Sequence, residues 1–252
     1  MTITAHTPGA TRPSPDSMRR TSLVAGLLYL LTFVSIPTLF LYDPVRDADF
    51  VLGAGSDTGV LWAAFSEVIV ALAGIGTAVV LFQVAKRQSE TAALGFVTAR
   101  VLEAALILVG VVSMLTILTL RHDVAGTVGA DPASLVTTGH TLVATYDWAF
   151  LLSQSLMPVF NALCLGYVLY RSGLVPRILP TIGLIGAPLL LASDLAIFFG
   201  VYDRMAPIAA LAALPIAAWE FSLGVYLTAK GFKPAAVAAL TSTDRDSELS
   251  PA

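Results

Sequence analysis

Six ionisable residues stand inside stretches that are otherwise apolar: Glu67, Arg100, Glu103, Asp147, Asp194 and Glu220. Carboxyl groups in that setting can bind a proton or a cationic solute, act as general acid and base toward a lipid-soluble substrate, or tie helices together. An ionised acid or base near the centre of a lipid-facing helix costs roughly 2.5 to 3.5 kcal/mol. Six of them facing lipid would be prohibitive. They are expected to point into a bundle, where they pair with one another, line a hydrated cavity or stay protonated. Arg100 and Glu103 are three residues apart, share a helix face and are expected to form an ion pair. Glu67, Asp147, Asp194 and Glu220 are then left with no obvious basic partner, and this excess of acid points to proton or cation binding.

A second pattern overlaps the first. His140, Asp147, Gln154 and Asn161 recur every seven residues, with Pro158 close to the same face. A seven-residue period drifts by only about 20° per repeat on a straight helix. One polar stripe therefore runs most of the way along this helix. It either lines a polar pathway or supplies interhelical hydrogen bonds, which average about 0.6 kcal/mol each. Small residues share the faces of two acids: Ala63, Ala71, Gly74 and Ala78 around Glu67, and Ala213, Ala217 and Gly224 around Glu220. Such faces let helices approach closely. By depth, Asp147 and Asp194 fall toward the outer third, Glu67 lies between there and the middle, and Glu103, Glu220 and Arg100 lie nearer the middle or inner half. The expected picture is an outer acidic vestibule above an inner charged cluster.

The elements that must hold these residues are membrane-spanning helices. Of the 252 residues, 56% are hydrophobic and 12% charged, against roughly 25% charged in a soluble domain. The apolar residues form blocks long enough to cross a hydrocarbon layer about 30 Å thick. The fold class expected is all-α, a bundle of six transmembrane helices at about 21–42, 58–84, 92–119, 140–170, 178–200 and 207–229. The flanks, 1–18 and 234–252, are rich in Ser, Thr, Pro and Ala and are expected to be disordered. The first block is too long for a signal-peptide core and reads as an uncleaved helix.

Basic residues set the expected orientation. Ten lie on the side of the termini: Arg12, Arg19, Arg20, Lys86, Arg87, Arg171, Arg177, Lys230, Lys233 and Arg245. Only Arg46, Arg121 and Arg204 lie opposite. Both termini are expected to be cytoplasmic.

Several chemistries have no support. There is no phosphate loop, no H-E-x-x-H and no Gly-x-Ser-x-Gly elbow. The single cysteine, Cys164, allows no intrachain disulfide and no cysteine-based zinc site. His122, Asp123 and His140 lack a spacing that enforces metal ligation. No metal, no cofactor and no nucleic-acid partner is expected; the partners are the lipid bilayer and a small-molecule or proton ligand. Tyr42, Tyr170 and Tyr202 read as interfacial anchors.

Between the fourth and fifth blocks stands RSGLVPR, whose Gly173 suits a helix end and whose Pro176 suits a helix start. The plain reading is a charged turn at the membrane edge. The surrounding LGYVLYRSGLVPRIL, the late WEFSLGVYLTAKGF, the early RRTSLVAGLLYLLTFV and the internal ARVLEA together resemble the DUF4386 family of bacterial integral membrane proteins. The resemblance covers about residues 19–233. It departs from the family pattern at Pro180, where glycine is expected, and at Leu174, where an aromatic is expected. It implies six helices and a bacterial plasma-membrane location, and it brings no reaction and no catalytic residues.

Three functional readings follow. The first is a carboxylate-lined carrier or permeation protein, proton-linked, in which Glu67, Asp147, Asp194 and Glu220 bind a proton or a cationic substrate. The second is an intramembrane acid/base enzyme acting on an isoprenoid-like substrate, and the third is an accessory subunit whose acids only orient helices. Acids occur in the second and third helices of each half, but no shared residue pattern supports an inverted repeat.

Overall fold

The structure is a computed structural model and describes residues 15–249. The described residues are helical throughout, joined by short turns, with no strand among them. Helix α1 (Pro15–Thr32) continues as a 3-10 segment over Phe33–Arg46. Then follow α2 (Asp57–Ala85), α3 (Glu90–Asp123), α4 (Pro132–Phe150), a π-helical stretch (Leu151–Leu156), α5 (Met157–Ser172), α6 (Ile178–Phe198), α7 (Pro207–Ala229) and α8 (Pro234–Leu249). Among the described residues six spans are long and apolar enough to cross a membrane; the first joins α1 to the 3-10 segment, and the fourth runs continuously from Pro132 to Ser172. The chain is an integral membrane protein.

The six spans close into a ring. Each packs on its neighbour in sequence, and α7 returns to pack on α1. Close approach at that seam depends on small residues. A Cβ on Gly224 would meet Tyr29 at 3.1 Å and Leu30 at 3.2 Å, and one on Gly183 would meet the Trp219 ring at 2.5 Å where α6 crosses α7. Arg19 bonds to the carbonyls of Leu227 and Thr228 at 3.1 and 2.8 Å, so one side chain fastens the start of α1 to the C-terminal end of α7.

Two departures from regular α-helix have causes in the sequence. Pro37 and Pro44 lie in the 3-10 segment, and each removes an N–H that an α-helix would use. The hydroxyls of Thr32, Ser35 and Thr38 also bond to carbonyls three residues back, favouring the tighter winding. In the fourth span Pro158 cannot donate to the turn before it, and the π stretch lies in that turn. Bulges of this kind occur often at functional sites.

The expected boundaries need four corrections. The fourth span begins at Pro132 instead of about 140, because Asp131 accepts from the N–H groups of Ala133 and Ser134 and caps it there. The first span is α-helical only to Thr32. The flank 234–252, expected as a disordered tail, is helical over Pro234–Leu249: proline suits a first helical position, and the alanines after it favour helix. In the N-terminal flank 1–18, residues 15–18 belong to α1, and 1–14 lie outside the described residues. The RSGLVPR stretch forms a turn, with Gly173 left-handed at φ 65° and Leu174 and Val175 fully buried.

Candidate functional site

Every span sends polar side chains into the ring, where they sit between two apolar clusters. Toward the termini the interior is filled by Leu81, Phe96, Leu165, Leu174, Trp219 and Leu223. At the opposite end Val60, Ile107, Met114 and Ile117 pack around Tyr42 and Tyr146. The polar groups between them form four sets.

The innermost set is built on Arg100 of α3. Its Nη1 donates to both oxygens of Glu103, at 3.2 and 3.1 Å, one turn along the same helix. Its Nη2 donates to Glu220 of α7 at 2.7 Å. Asn161 of α5 adds a 2.7 Å bond to Glu103. The guanidinium lies 5.2 Å from the Tyr29 ring centroid and 5.7 Å from that of Phe96, so aromatic faces cover it. One cation therefore serves two carboxyl groups.

The second set centres on Glu67 of α2, only 1% exposed. It accepts from the hydroxyls of Tyr42 and Tyr146, at 3.0 and 3.1 Å, and from the Gln154 amide at 2.7 Å. No basic side chain forms an ion pair with it among the described residues. Three donors from two other spans satisfy it, and they stand between it and the cavity described below.

The third set lies at the end remote from the termini. Arg46 grips Asp147 with two bonds, 2.9 and 2.7 Å, and Arg204 adds a third at 2.8 Å. Arg204 also lies 4.4 Å from the Phe150 ring centroid. Such forked contacts are the strong form of this interaction.

The fourth is Asp194 of α6, 3% exposed. Its Oδ1 accepts from Ser155 at 2.6 Å, and its buried Oδ2 has no hydrogen-bond partner. Ser155 and Gln154 are neighbours in the π stretch, yet they serve Asp194 and Glu67 respectively.

Two cavities connect these sets. The larger, about 380 Å3, lies between the 3-10 segment, the fourth span, α6 and α7; Arg46, Gln154, Ser155, Asp194 and Arg204 are in its wall. The smaller, about 160 Å3, reaches Arg100, Glu103 and Glu220 and shares Gln154 and Ser155 with the larger. Together they make a mainly apolar recess with these polar groups set in its wall, lined from Arg46 and Arg204 at the end remote from the termini to Arg100 and Glu220 at mid-bundle. The apolar layer of Leu81, Phe96, Leu165 and Trp219 lies beyond it toward the termini.

Several sequence expectations are revised. Asp147 and Glu220, expected to lack basic partners, have them: Arg46 and Arg204 for the first, Arg100 for the second. The outer vestibule is consequently not acidic alone, since two arginines share it. Of the stripe, Asp147, Gln154 and Asn161 each bond to a different polar set, whereas His140 is exposed on the outer part of α4. Tyr42, expected as an interfacial anchor, is 3% exposed and bonded to Glu67. Tyr146 and Ser155 escaped sequence reasoning, and Arg46 and Arg204 entered it only as orientation charges, not as partners of Asp147. Tyr146 and Ser155 adjoin stripe positions, which was their only signal. No group of three or more metal-ligating side chains occurs among the described residues.

Residues 24–231 match a family described as Domain of unknown function (DUF4386). No curated protein and no solved structure matches the chain. The matched region starts in α1 and ends two residues after α7, so it takes in every polar set of the recess. By the extent of that match, the chain belongs to the DUF4386 family.

Proposed function

We propose that this chain is a carrier or permeation protein of the plasma membrane, with both termini cytoplasmic, that takes a small molecule into the larger cavity and passes it toward the Arg100 group. The observation that carries this reading is that the two cavities share Gln154 and Ser155 in their walls, which sets the larger one directly beside the cavity that reaches the charged group at mid-bundle. A recess closed on one side is what one state of an alternating-access cycle requires. Glu220 and Asp194 are the candidate acids tested first: Glu220 lines the smaller cavity and Asp194 the larger, where it keeps an oxygen without a donor among the described residues.

The test is flux into liposomes holding a pH-sensitive dye, with a panel of organic cations and neutral amphiphiles outside. Asp194→Asn and Glu220→Gln are expected to lower protein-dependent flux by roughly tenfold, the scale of one lost charged hydrogen bond. Flux absent throughout, or indifferent to both substitutions, rejects the carrier reading.

One observation favours the accessory reading. Glu67, Glu103, Asp147 and Glu220 each bond to side chains of other spans, as helix-fastening groups would. That reading predicts loss of stability on amide substitution with no effect on flux. The enzyme reading has less support, because Glu67, one of the acids it would use, is screened from the cavity by Tyr42, Tyr146 and Gln154.

A further inference from the structure

We propose that the ligand of the larger cavity is a lipophilic ammonium ion bearing at least one N–H, held by Asp194 and admitted sideways from the lipid between the 3-10 segment and α7. This rests on the carrier reading and specifies its substrate class.

Charge balance around the cavity singles out Asp194. Arg46 and Arg204 are both committed to Asp147, and Asp43 adds a further acid to the same wall. The two cations are thus matched by two acids without Asp194. Among the described residues Asp194 makes no ion pair, takes one bond from a neutral serine and keeps Oδ2 buried with no donor. A buried acceptor left open costs about 1 to 3 kcal/mol. A ligand N–H that also carries positive charge supplies both what the oxygen and what the charge lack.

The rest of the wall suits the rest of such a molecule. Tyr42, Tyr146 and Phe150 form an aromatic side, and an aromatic lining stabilises organic cations. Ala209, Ala210 and Ala213 of α7 face them with small apolar side chains. Beyond Thr32 the 3-10 segment packs on α2 and α4, and the cavity occupies the space between it and α6 and α7. Phe40 and Met205 line this cavity and are 66% and 74% exposed. A rim of large apolar side chains opens such a site to lipid tails more readily than to water.

The test uses the full chain in nanodiscs and a tritiated straight-chain alkylamine as probe. Competition is measured with three molecules of the same skeleton: the neutral alcohol, the trimethylammonium and the carboxylate. The expected result is saturable amine binding, displaced at least about tenfold less well by each of the three than by unlabelled amine, and weakened about tenfold or more by Asp194→Asn. The competition series uses only the unsubstituted protein, so it stands even where Asp194→Asn fails to fold. Equal competition by the alcohol overturns the assignment of charge, and equal competition by the trimethylammonium overturns the assignment of the N–H. Preference for the carboxylate or alcohol with saturable binding overturns this inference and leaves the carrier reading standing. Absence of saturable amine binding overturns this inference, and the carrier reading is then decided by the flux assay.

Discussion

Arg100 holds two carboxyl groups, and only one of them was visible in the sequence. Glu103 is three residues away on the same helix; Glu220 is 120 residues away, and no local pattern links it to Arg100. The same limit applies to Asp147, whose partners lie 101 and 57 residues distant. Sequence spacing identifies which side chains must avoid lipid, because that follows from the cost of burial. It does not identify partners brought by other helices. Removing one member of a buried ionic group costs about 3 to 5 kcal/mol, since the remaining charges lose their counter-ion. Arg100→Met is therefore expected to destabilise the protein by about that amount in thermal unfolding in detergent. Adding Glu103→Gln and Glu220→Gln to Arg100→Met is expected to recover most of the loss, and a triple variant as unstable as the single one sinks the account. Glu67 tests a neutral network in the same way. Tyr42→Phe and Tyr146→Phe each remove one donor to it, and each is expected to cost about 1 to 3 kcal/mol by the same measurement.

At the scale of elements, the six spans were legible because an apolar block of bilayer length has few alternatives. The irregular winding within them was less so. Two prolines in the first span and one in the fourth were plain in the sequence, but a proline alone does not specify whether a helix kinks, tightens or bulges. Here hydroxyl bonds tighten the first span, and the fourth bulges where Gln154 and Ser155 serve separate helices. Close helix crossings were legible in part: small-residue faces around Glu67 and Glu220 were expected, and Ala63, Ala71, Gly74 and Ala78 are buried. The close crossing of Gly183 against Trp219 was not, since it needs a large residue on one helix to find a position without a Cβ on another. Trp219 is fully buried and its ring would lie 2.5 Å from a Cβ at Gly183. Gly183→Ala is expected to cost about 1 to 3 kcal/mol from overpacking. Trp219→Phe in the Gly183→Ala background is expected to cost less than the sum of the two single changes, measured as a double-mutant cycle in detergent unfolding. Simple additivity contradicts this contact.

For the whole molecule, the distribution of basic residues and the structure bear on the same question from different directions. By the sequence reading, ten basic residues fall on the side of the termini and three on the other, with Arg100 between. The three exceptions are each engaged by the fold. Arg46 and Arg204 bind Asp147; Arg121 pairs with Asp57 at 3.1 Å and bonds to the carbonyls of Phe50, Ala54, Gly53 and Gly55, fixing the loop before α2. An arginine neutralised by a neighbouring acid has a structural reason to lie on that side, so these exceptions weaken the charge asymmetry less than their number suggests. On the orientation rule the expectation is that the termini are cytoplasmic and that the end of the bundle carrying Arg46 and Arg204 lies outside. Two single-cysteine variants test this in a Cys164→Ala background. Val128 is fully exposed between Gly126 and Gly129 in the loop before α4, and Thr91 is exposed at the start of α3, at the end of the termini. In intact cells a membrane-impermeant maleimide is expected to label Val128→Cys and to leave Thr91→Cys unlabelled until the membrane is opened. The reverse pattern inverts the protein and puts the larger cavity, with Arg46 and Arg204 in its wall, in the cytoplasmic half of the membrane.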